Sequence, residues 1–101
     1  MNKLIPVDRI SETNTLIAFH HPQPAFPLHI LLIPKKAIAS LMDISEEDNI
    51  LLADLVKTIQ SIVKRFSLET GGYRLIVNGG KYQEIPQLHF HLIAENFPQS
   101  P

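Results

Sequence analysis

The stretch QLHFHLIA at residues 87–94 decides how the rest of this chain is interpreted. Polar and apolar residues alternate along it, which predicts a β-strand with one open and one buried face. The polar side chains share the open face: Gln87, His89 and His91. The leucine and phenylalanine residues between them would be buried. Paired histidines on a solvent-facing strand can be inert, but two imidazoles behind a glycine-rich loop favour a chemical role.

Four further strands are predicted from apolar or alternating runs. The five strands are expected at residues 7–11, 16–20, 28–33, 73–78 and 87–94. Three prolines exclude regular structure from residues 21–27. Gly79 opens a second loop, which Pro86 closes. The pattern predicts a single α+β domain over residues 1–101, with a mostly antiparallel sheet, one long helix and a short helical turn.

The long helix is predicted to begin after Ser45, because Ser45 and Asp48 resemble a capping box. Apolar residues then recur at helical spacing: Leu52, Leu55, Val56, Ile59, Ile62, Val63 and Phe66. Gly71 and Gly72 are expected to end this segment. The apolar stripe is wide for a chain of 101 residues, so it predicts a homodimer interface as well as a core.

Composition excludes several classes of function. The chain has no cysteine, which excludes disulfides, thiolate metal sites and cysteine nucleophiles. Nine basic against ten acidic residues argue against a nucleic-acid-binding surface, which usually has a basic excess. No apolar run approaches the roughly 20 residues of a membrane span, and the first ten residues do not resemble a signal peptide. We therefore expect a cytoplasmic protein that binds neither nucleic acid nor membrane.

The histidines allow three kinds of chemistry, because His29 adds a third imidazole from another strand. An imidazole can attack phosphorus when a neighbour fixes its tautomer. Three histidines can instead hold zinc, or they can simply donate hydrogen bonds to phosphate. The loop NGGK at residues 78–81 favours phosphate, since glycines let backbone amides approach an anion.

Several blocks of the chain together resemble the histidine triad (HIT) superfamily of nucleotidyl hydrolases and transferases. The family motif is His-φ-His-φ-His-φ-φ, where φ is apolar, and residues 87–93 read QLHFHLI. A second block, PLHILLIPKK at residues 27–36, resembles the family strand that carries a fourth histidine. The blocks RLIVN at residues 74–78 and QEIP at residues 83–86 also match. The resemblance implies a HIT-like fold.

The resemblance also implies a reaction at the α-phosphate of a purine nucleotide conjugate, either a phosphoramidate or a dinucleotide. His89 would be the nucleophile and would form a covalent nucleotidyl-histidine. His91 and Gln83 would bind phosphate oxygens or the leaving group, Asn78 would hold a phosphate oxygen, and His29 would join the histidine network. Phe19 and His20 would lie beside the base and ribose. No cofactor is implied, and the family usually forms homodimers.

Two departures from the family pattern suggest one alternative, and the group of histidines suggests another. Gln87 replaces the first triad histidine, and His21 replaces the acidic residue that would bind the ribose; Glu84 is a further candidate for substrate binding. The first alternative is a nucleotide-binding protein with little or no turnover. The second is a metal site built from His29, His89 and His91.

Overall fold

The computed structural model describes residues 8–97 and contains a five-stranded sheet in the order β1-β2-β3-β5-β4. The strands are β1 Asp8–Glu12, β2 Leu16–His20, β3 Leu28–Pro34, β4 Arg74–Ile76 and β5 Phe90–Ala94. Each neighbouring pair is antiparallel. The α+β fold with about five mostly antiparallel strands is therefore confirmed.

The last two strands are shorter than the sequence predicts. The strand expected at residues 73–78 covers only Arg74–Ile76, and the strand expected at residues 87–94 begins at Phe90. Phe90 pairs with Leu32 near the end of β3, where Pro34 has no N–H to continue the ladder. The amide of Leu88 instead donates to the carbonyl of Ile38. The first strand begins at Asp8 in the described residues, and residue 7 lies outside them.

The helical segment is divided into several pieces. A 3-10 turn at Glu46–Asp48 precedes α1, which spans Asn49–Arg65. The Asp48 carboxylate accepts the amide of Ser45, as the capping pattern predicts. Ser67 then has φ 56°, which interrupts the helix before the short α2 at Leu68–Gly71. Two more 3-10 turns lie at residues 41–43 and 80–82.

Helix α1 packs on one face of the sheet and leaves the other face to the histidines. Its buried side chains are Leu51, Leu55, Thr58, Ile62 and Val63. They meet alternate residues of β2, β3 and β5, including Ala18, Ile30 and Leu92, in one core cluster. Leu52 and Val56, which belong to the predicted apolar stripe, are 39% and 53% exposed and so lie outside this core. Within residues 8–97, no helix has the length and hydropathy needed to cross a bilayer.

Candidate active site

Four histidine rings form one cluster on the face of the sheet opposite α1. The ring centroids are 4.4 Å apart for His21 and His29, and 5.1 Å apart for His29 and His91. The ring of His89 lies 5.1 Å from that of His91. The cluster therefore unites the two histidines of residues 87–94 with His29, as the sequence predicts, and adds His21.

The antiparallel register explains why these rings meet. His91 is paired with Leu31, and His29 is paired with Ile93, so both histidines lie on one face at neighbouring positions. The amide of His21 donates to the His29 carbonyl at 2.8 Å, which continues the β2–β3 pairing by one residue. The clustered histidines therefore come from three separate parts of the chain, which the pairing of adjacent strands brings together.

The His89 ring is oriented by the main chain. Its Nδ1 atom lies 2.7 Å from the carbonyl oxygen of Gln87. A carbonyl only accepts hydrogen bonds, so Nδ1 carries the proton and Nε2 keeps its lone pair. The side-chain amide of Gln87 turns away and donates to the Leu88 carbonyl. Gln87 therefore orients His89 through its backbone, and its side chain is not needed for this contact.

His29 and His91 share a hydrogen bond of 2.8 Å between Nε2 of His29 and Nδ1 of His91. His29 is only 7% exposed. Burial, followed by the nearby His21 and His91, lowers the pKa of His29 from 6.5 to about 4. Burial also lowers the pKa of His91, with smaller effects from His89 and His21. Both rings are consequently neutral at physiological pH.

The proline-rich loop at residues 21–27 supplies main-chain donors to two of the rings. The amide of Gln23 donates to Nδ1 of His21 at 3.0 Å, and the amide of Ala25 donates to Nδ1 of His29 at 3.1 Å. Phe26 also lies against His29, with its ring edge-to-face at 5.5 Å. The sequence does not predict these contacts, because every residue except proline has the same backbone N–H donor.

The two residues predicted beside the base and ribose lie on opposite faces of the sheet. Phe19 is paired with Leu31, the partner of His91, so it lies on the face of the histidine cluster. His20 is the next residue and points to the helix side, where its ring meets Phe66 at 6.0 Å. The His20 side chain is therefore separated from the cluster by the sheet.

The other predicted ligand-binding residues lie in or beside the loop before β5. Asn78 follows Ile76, the partner of His91, by two residues and so lies toward His89. The Gln83 amide donates to the carbonyls of Ala39 and Ile85, at 2.7 and 3.0 Å. The first contact holds this loop to Ala39, the second lies within the loop, and the structure does not join Gln83 to the cluster. Glu84 is exposed on the same loop.

The donor set does not favour the metal alternative. In the part of the chain that the structure describes, no three His, Asp or Glu side chains are arranged to hold a metal ion. Both ring nitrogens of His29 are already engaged, one with Ala25 and one with His91. Coordination through His29 would have to break one of these hydrogen bonds.

Comparison with known proteins agrees with this fold and motif. The HIT domain family model matches residues 2–97. An uncharacterized HIT-like protein of Buchnera aphidicola is 37% identical over 93 residues, which is 90% of this chain and 83% of that protein. One from Chlamydia trachomatis is 38% identical over 92 residues, covering 89% of this chain and 82% of that protein. The chain belongs to the HIT domain family.

Solved structures give the same assignment. The crystal structure of a HIT family hydrolase from Legionella pneumophila superposes with a TM-score of 0.85 at 32% identity, covering 97% of this chain and 89% of that one. A histidine triad protein from Clostridium difficile superposes with a TM-score of 0.83, also at 32% identity, covering 96% and 87%. The sheet with one long helix is therefore the HIT fold.

Proposed function

We propose that this protein is a nucleotidyl hydrolase or transferase that acts on the α-phosphate of a purine nucleotide conjugate through His89. The observation that carries the proposal is the contact between His89 Nδ1 and the Gln87 carbonyl. It leaves Nε2 unprotonated, which is the form an imidazole needs to attack phosphorus. The similarity to a structure described as a HIT family hydrolase supports the same class of reaction.

The reaction proceeds in two displacements. Nε2 of His89 attacks the α-phosphorus, a P–Nε2 bond forms, and the bond from phosphorus to the leaving amine or phosphate breaks. The leaving group departs with the electron pair of that bond and takes the Nε2 proton of His91. Water or another acceptor then attacks the same phosphorus and returns a proton to His91, the P–Nε2 bond breaks with its electron pair going to His89, and the nucleoside monophosphate or transfer product is released. The chemistry requires no cofactor.

The residues around His89 have complementary roles in this proposal. His91, whose ring centroid is 5.1 Å from that of His89, binds a phosphate oxygen or the leaving group. Asn78 lies toward the same end of the sheet and binds a phosphate oxygen. Phe19, half-buried on the cluster face, contacts the nucleoside. Neutral rings and amides satisfy a phosphate through hydrogen bonds.

Detection of the covalent intermediate tests this proposal directly. The protein is mixed with an adenosine phosphoramidate, quenched within milliseconds to seconds and analysed by intact mass. We expect a mass increase equal to one adenylyl group, and its loss in His89→Ala. His20→Ala is the matched control, since that ring lies on the opposite face of the sheet. Nucleotide binding with neither adduct nor turnover would contradict catalysis and support the binding-only alternative.

The nucleotide site itself can be tested separately from turnover. Titration with adenosine monophosphate, followed by NMR, should shift the ring signals of His29, His89 and His91 more than that of His20. These rings share one face of the sheet, whereas His20 contacts Phe66 on the other. Shifts confined to a remote surface, or no binding at millimolar nucleotide, would contradict the proposed site.

A further inference from the structure

The proline-rich loop contains few main-chain donors, and most of them point at histidines. Within residues 22–27, Pro22, Pro24 and Pro27 have no N–H, so only Gln23, Ala25 and Phe26 can donate. Gln23 donates to Nδ1 of His21, and Ala25 donates to Nδ1 of His29. Two of the three available amides thus bind ring nitrogens.

These contacts fix where the ring protons lie. A backbone N–H only donates, so Nδ1 of His29 must accept and its proton must be on Nε2. That Nε2–H faces Nδ1 of His91 at 2.8 Å and can only donate to it. His91 Nδ1 is therefore an acceptor, and the proton of this neutral ring lies on Nε2. The backbone amide of Ala25 therefore sets the donor and the acceptor in the hydrogen bond between His29 and His91.

The same reasoning gives neighbouring rings opposite tautomers. His89 donates its Nδ1–H to the Gln87 carbonyl and keeps a lone pair on Nε2. His91 accepts at Nδ1 and keeps a proton on Nε2. One ring can attack phosphorus, while its neighbour can donate a proton to a phosphate oxygen or a leaving group. If both rings had the same tautomer, one of these two roles would be lost.

We propose that residues 22–27 are a tautomer-setting loop, in which the Ala25 amide, acting through His29, makes His91 a hydrogen-bond donor toward the ligand. Ala25 is thus a positioning residue, and its contribution comes from its backbone N–H. The catalytic consequence rests on the proposed function, but the tautomers themselves are a property of the free protein. The prolines suit this task, because they restrict the backbone that carries the two donors.

NMR of the ring nitrogens tests the loop without any substrate. In the wild-type protein, long-range ¹H–¹⁵N spectra should show His29 and His91 protonated at Nε2, and His89 protonated at Nδ1. A scalar coupling across the hydrogen bond should also join the Ala25 amide nitrogen to Nδ1 of His29. A proton on Nδ1 of His29 or His91 in the neutral protein would overturn the proposal.

Variants test whether the amide acts through His29. Ala25→Pro removes the donor and should give His91 a mixture of tautomers, whereas Ala25→Gly keeps the N–H and should keep the wild-type pattern. In His29→Gln no imidazole connects residue 25 to His91, so loss of the Ala25 amide should no longer be transmitted to the His91 ring. Ala25→Pro should therefore change the His91 tautomer in the wild-type background and not in the His29→Gln background. An effect of equal size in both backgrounds, or none in the wild type, would overturn the proposal.

A second pair of variants tests the contact between His29 and His91 if Ala25→Pro does not fold. The amide of His29→Gln extends to the position of Nε2, whereas that of His29→Asn reaches only the position of Nδ1. We expect His91 to keep its Nε2 proton in the glutamine variant and to lose this preference in the asparagine variant. Equal His91 spectra in the two variants would overturn the relay through His29.

Kinetics separate this proposal from the proposed function. Partial loss of the donor on His91 should lower kcat for the phosphoramidate in Ala25→Pro in proportion to the fraction of His91 that loses its Nε2 proton, by about twofold for an even mixture of tautomers, with a smaller change in KM. If the wild-type protein turns over the phosphoramidate and Ala25→Pro has the same kcat, the proposed role of the loop is overturned. If the wild-type protein shows the expected tautomers but forms no adduct, the proposed function is overturned. The effect of the loop on the rings then still stands, because it is measured without substrate.

Discussion

The Nδ1 atom of His89 lies 2.7 Å from the main-chain carbonyl oxygen of Gln87. Every residue type has this carbonyl, so the orientation of His89 does not depend on which side chain stands at position 87. The Gln87 amide contacts only the neighbouring Leu88 carbonyl. Replacement of the first triad histidine by glutamine therefore leaves the proposed nucleophile oriented and removes only a group that could share a proton.

Substitutions at position 87 should accordingly affect rate more than binding. We expect Gln87→His to raise kcat, by up to about 10²-fold, because an added imidazole can share a proton in the transition state. The Kd for adenosine monophosphate should change less, since the ground state gains no comparable contact. Gln87→Ala is the matched control and should still form the adduct, because it retains the carbonyl. An unchanged kcat in Gln87→His would show that a proton-sharing group at this position is dispensable.

Stability should fall as pH decreases from about 6.5 toward 4. The pKa of His29 is about 4 in the folded protein, against an ordinary value of 6.5. In that window the unfolded chain binds a proton at His29 that the folded chain does not, so lower pH favours unfolding. The lowered pKa of His91 acts in the same direction. Each histidine adds a slope of at most about 1.4 kcal/mol per pH unit.

Urea unfolding at pH 7.5, 6.5 and 5.5 measures this effect while most carboxylates remain ionised. His29→Gln is the matched variant, because it retains a donor toward His91 but does not titrate. It should show a shallower decrease in the free energy of unfolding than the wild type. Identical slopes for the two proteins would contradict the assignment of this pH dependence to His29.

The adjacent lysines Lys35 and Lys36 should differ in their contribution to stability. Lys36 lies 2.7 Å from Asp48, whose side chain is only 4% exposed. Lys35 lies 2.6 Å from Glu12, and both of those side chains are more than one third exposed. The Lys36 ammonium and the Ser45 amide hold the pKa of Asp48 below its usual range. Losing Lys36 leaves a buried carboxylate without its cation, which costs more than losing an exposed pair.

We therefore expect Lys36→Met to lower the free energy of unfolding at pH 7 by at least about twice as much as Lys35→Met. Both substitutions remove one positive charge and keep a long side chain. Glu47, the second partner of Lys36, is exposed, and Glu12 keeps its contact with Arg9, so the buried Asp48 is the main difference between the two sites. Urea unfolding of the two variants provides the measurement. Equal losses would mean that the Asp48 site is hydrated well enough to tolerate an unpaired charge.

The chain is expected to form a homodimer through the uncovered side of α1 and the edge strand β4. Val56 is 53% exposed on the helix, and Leu75 is 45% exposed on β4. Tyr73, next to β4, lines a groove together with Ile59 and Val63 of α1. Apolar side chains on two adjoining elements are typical of a surface that another protein covers. Light scattering should therefore give twice the chain mass of 11.4 kDa.

Charge substitutions locate the proposed interface. Val56→Glu and Leu75→Lys should each convert the dimer to monomer at micromolar concentration, because each buries a charge at the contact. Met42→Glu is the control, since Met42 is 87% exposed in a 3-10 turn separate from α1 and β4. A wild-type mass of one chain would contradict the dimer, and dissociation only by Met42→Glu would place the interface elsewhere.

The sequence predicts the bounds of a strand well where a short apolar run is flanked by turn-forming residues on both sides. Strand β2 at Leu16–His20 matches its predicted bounds, because a buried run between a turn and a proline loop allows few other structures. The predicted ends of β4 and the predicted start of β5 are wrong. The point where strand pairing stops depends on partners such as Pro34, which lie far away in sequence. The break at Ser67 also has no local signal, because serine rarely adopts positive φ.

The histidine cluster is predictable to a similar degree. Alternation places His89 and His91 on one face, and the sequence offers His29 as a third imidazole from another strand, which the resemblance places in the same histidine network. The same alternation, continued from β2, separates the side chain of His20 from those of Phe19 and His21, so the pattern itself disagrees with a place for His20 beside the ribose. The hydrogen bonds from Ala25 and to Gln87 could not be predicted, since they involve atoms common to all residues. Their presence depends on the backbone conformation alone.

Peptide groups and a neighbouring imidazole, and not acidic side chains, orient the rings on the open face of the sheet. Among the residues that the structure describes, no carboxylate hydrogen-bonds to His21, His29, His89 or His91. An aspartate behind an imidazole would orient it equally well, but it would also repel an incoming dianion. A negatively charged substrate can therefore approach these rings without electrostatic opposition from the groups that hold them in place.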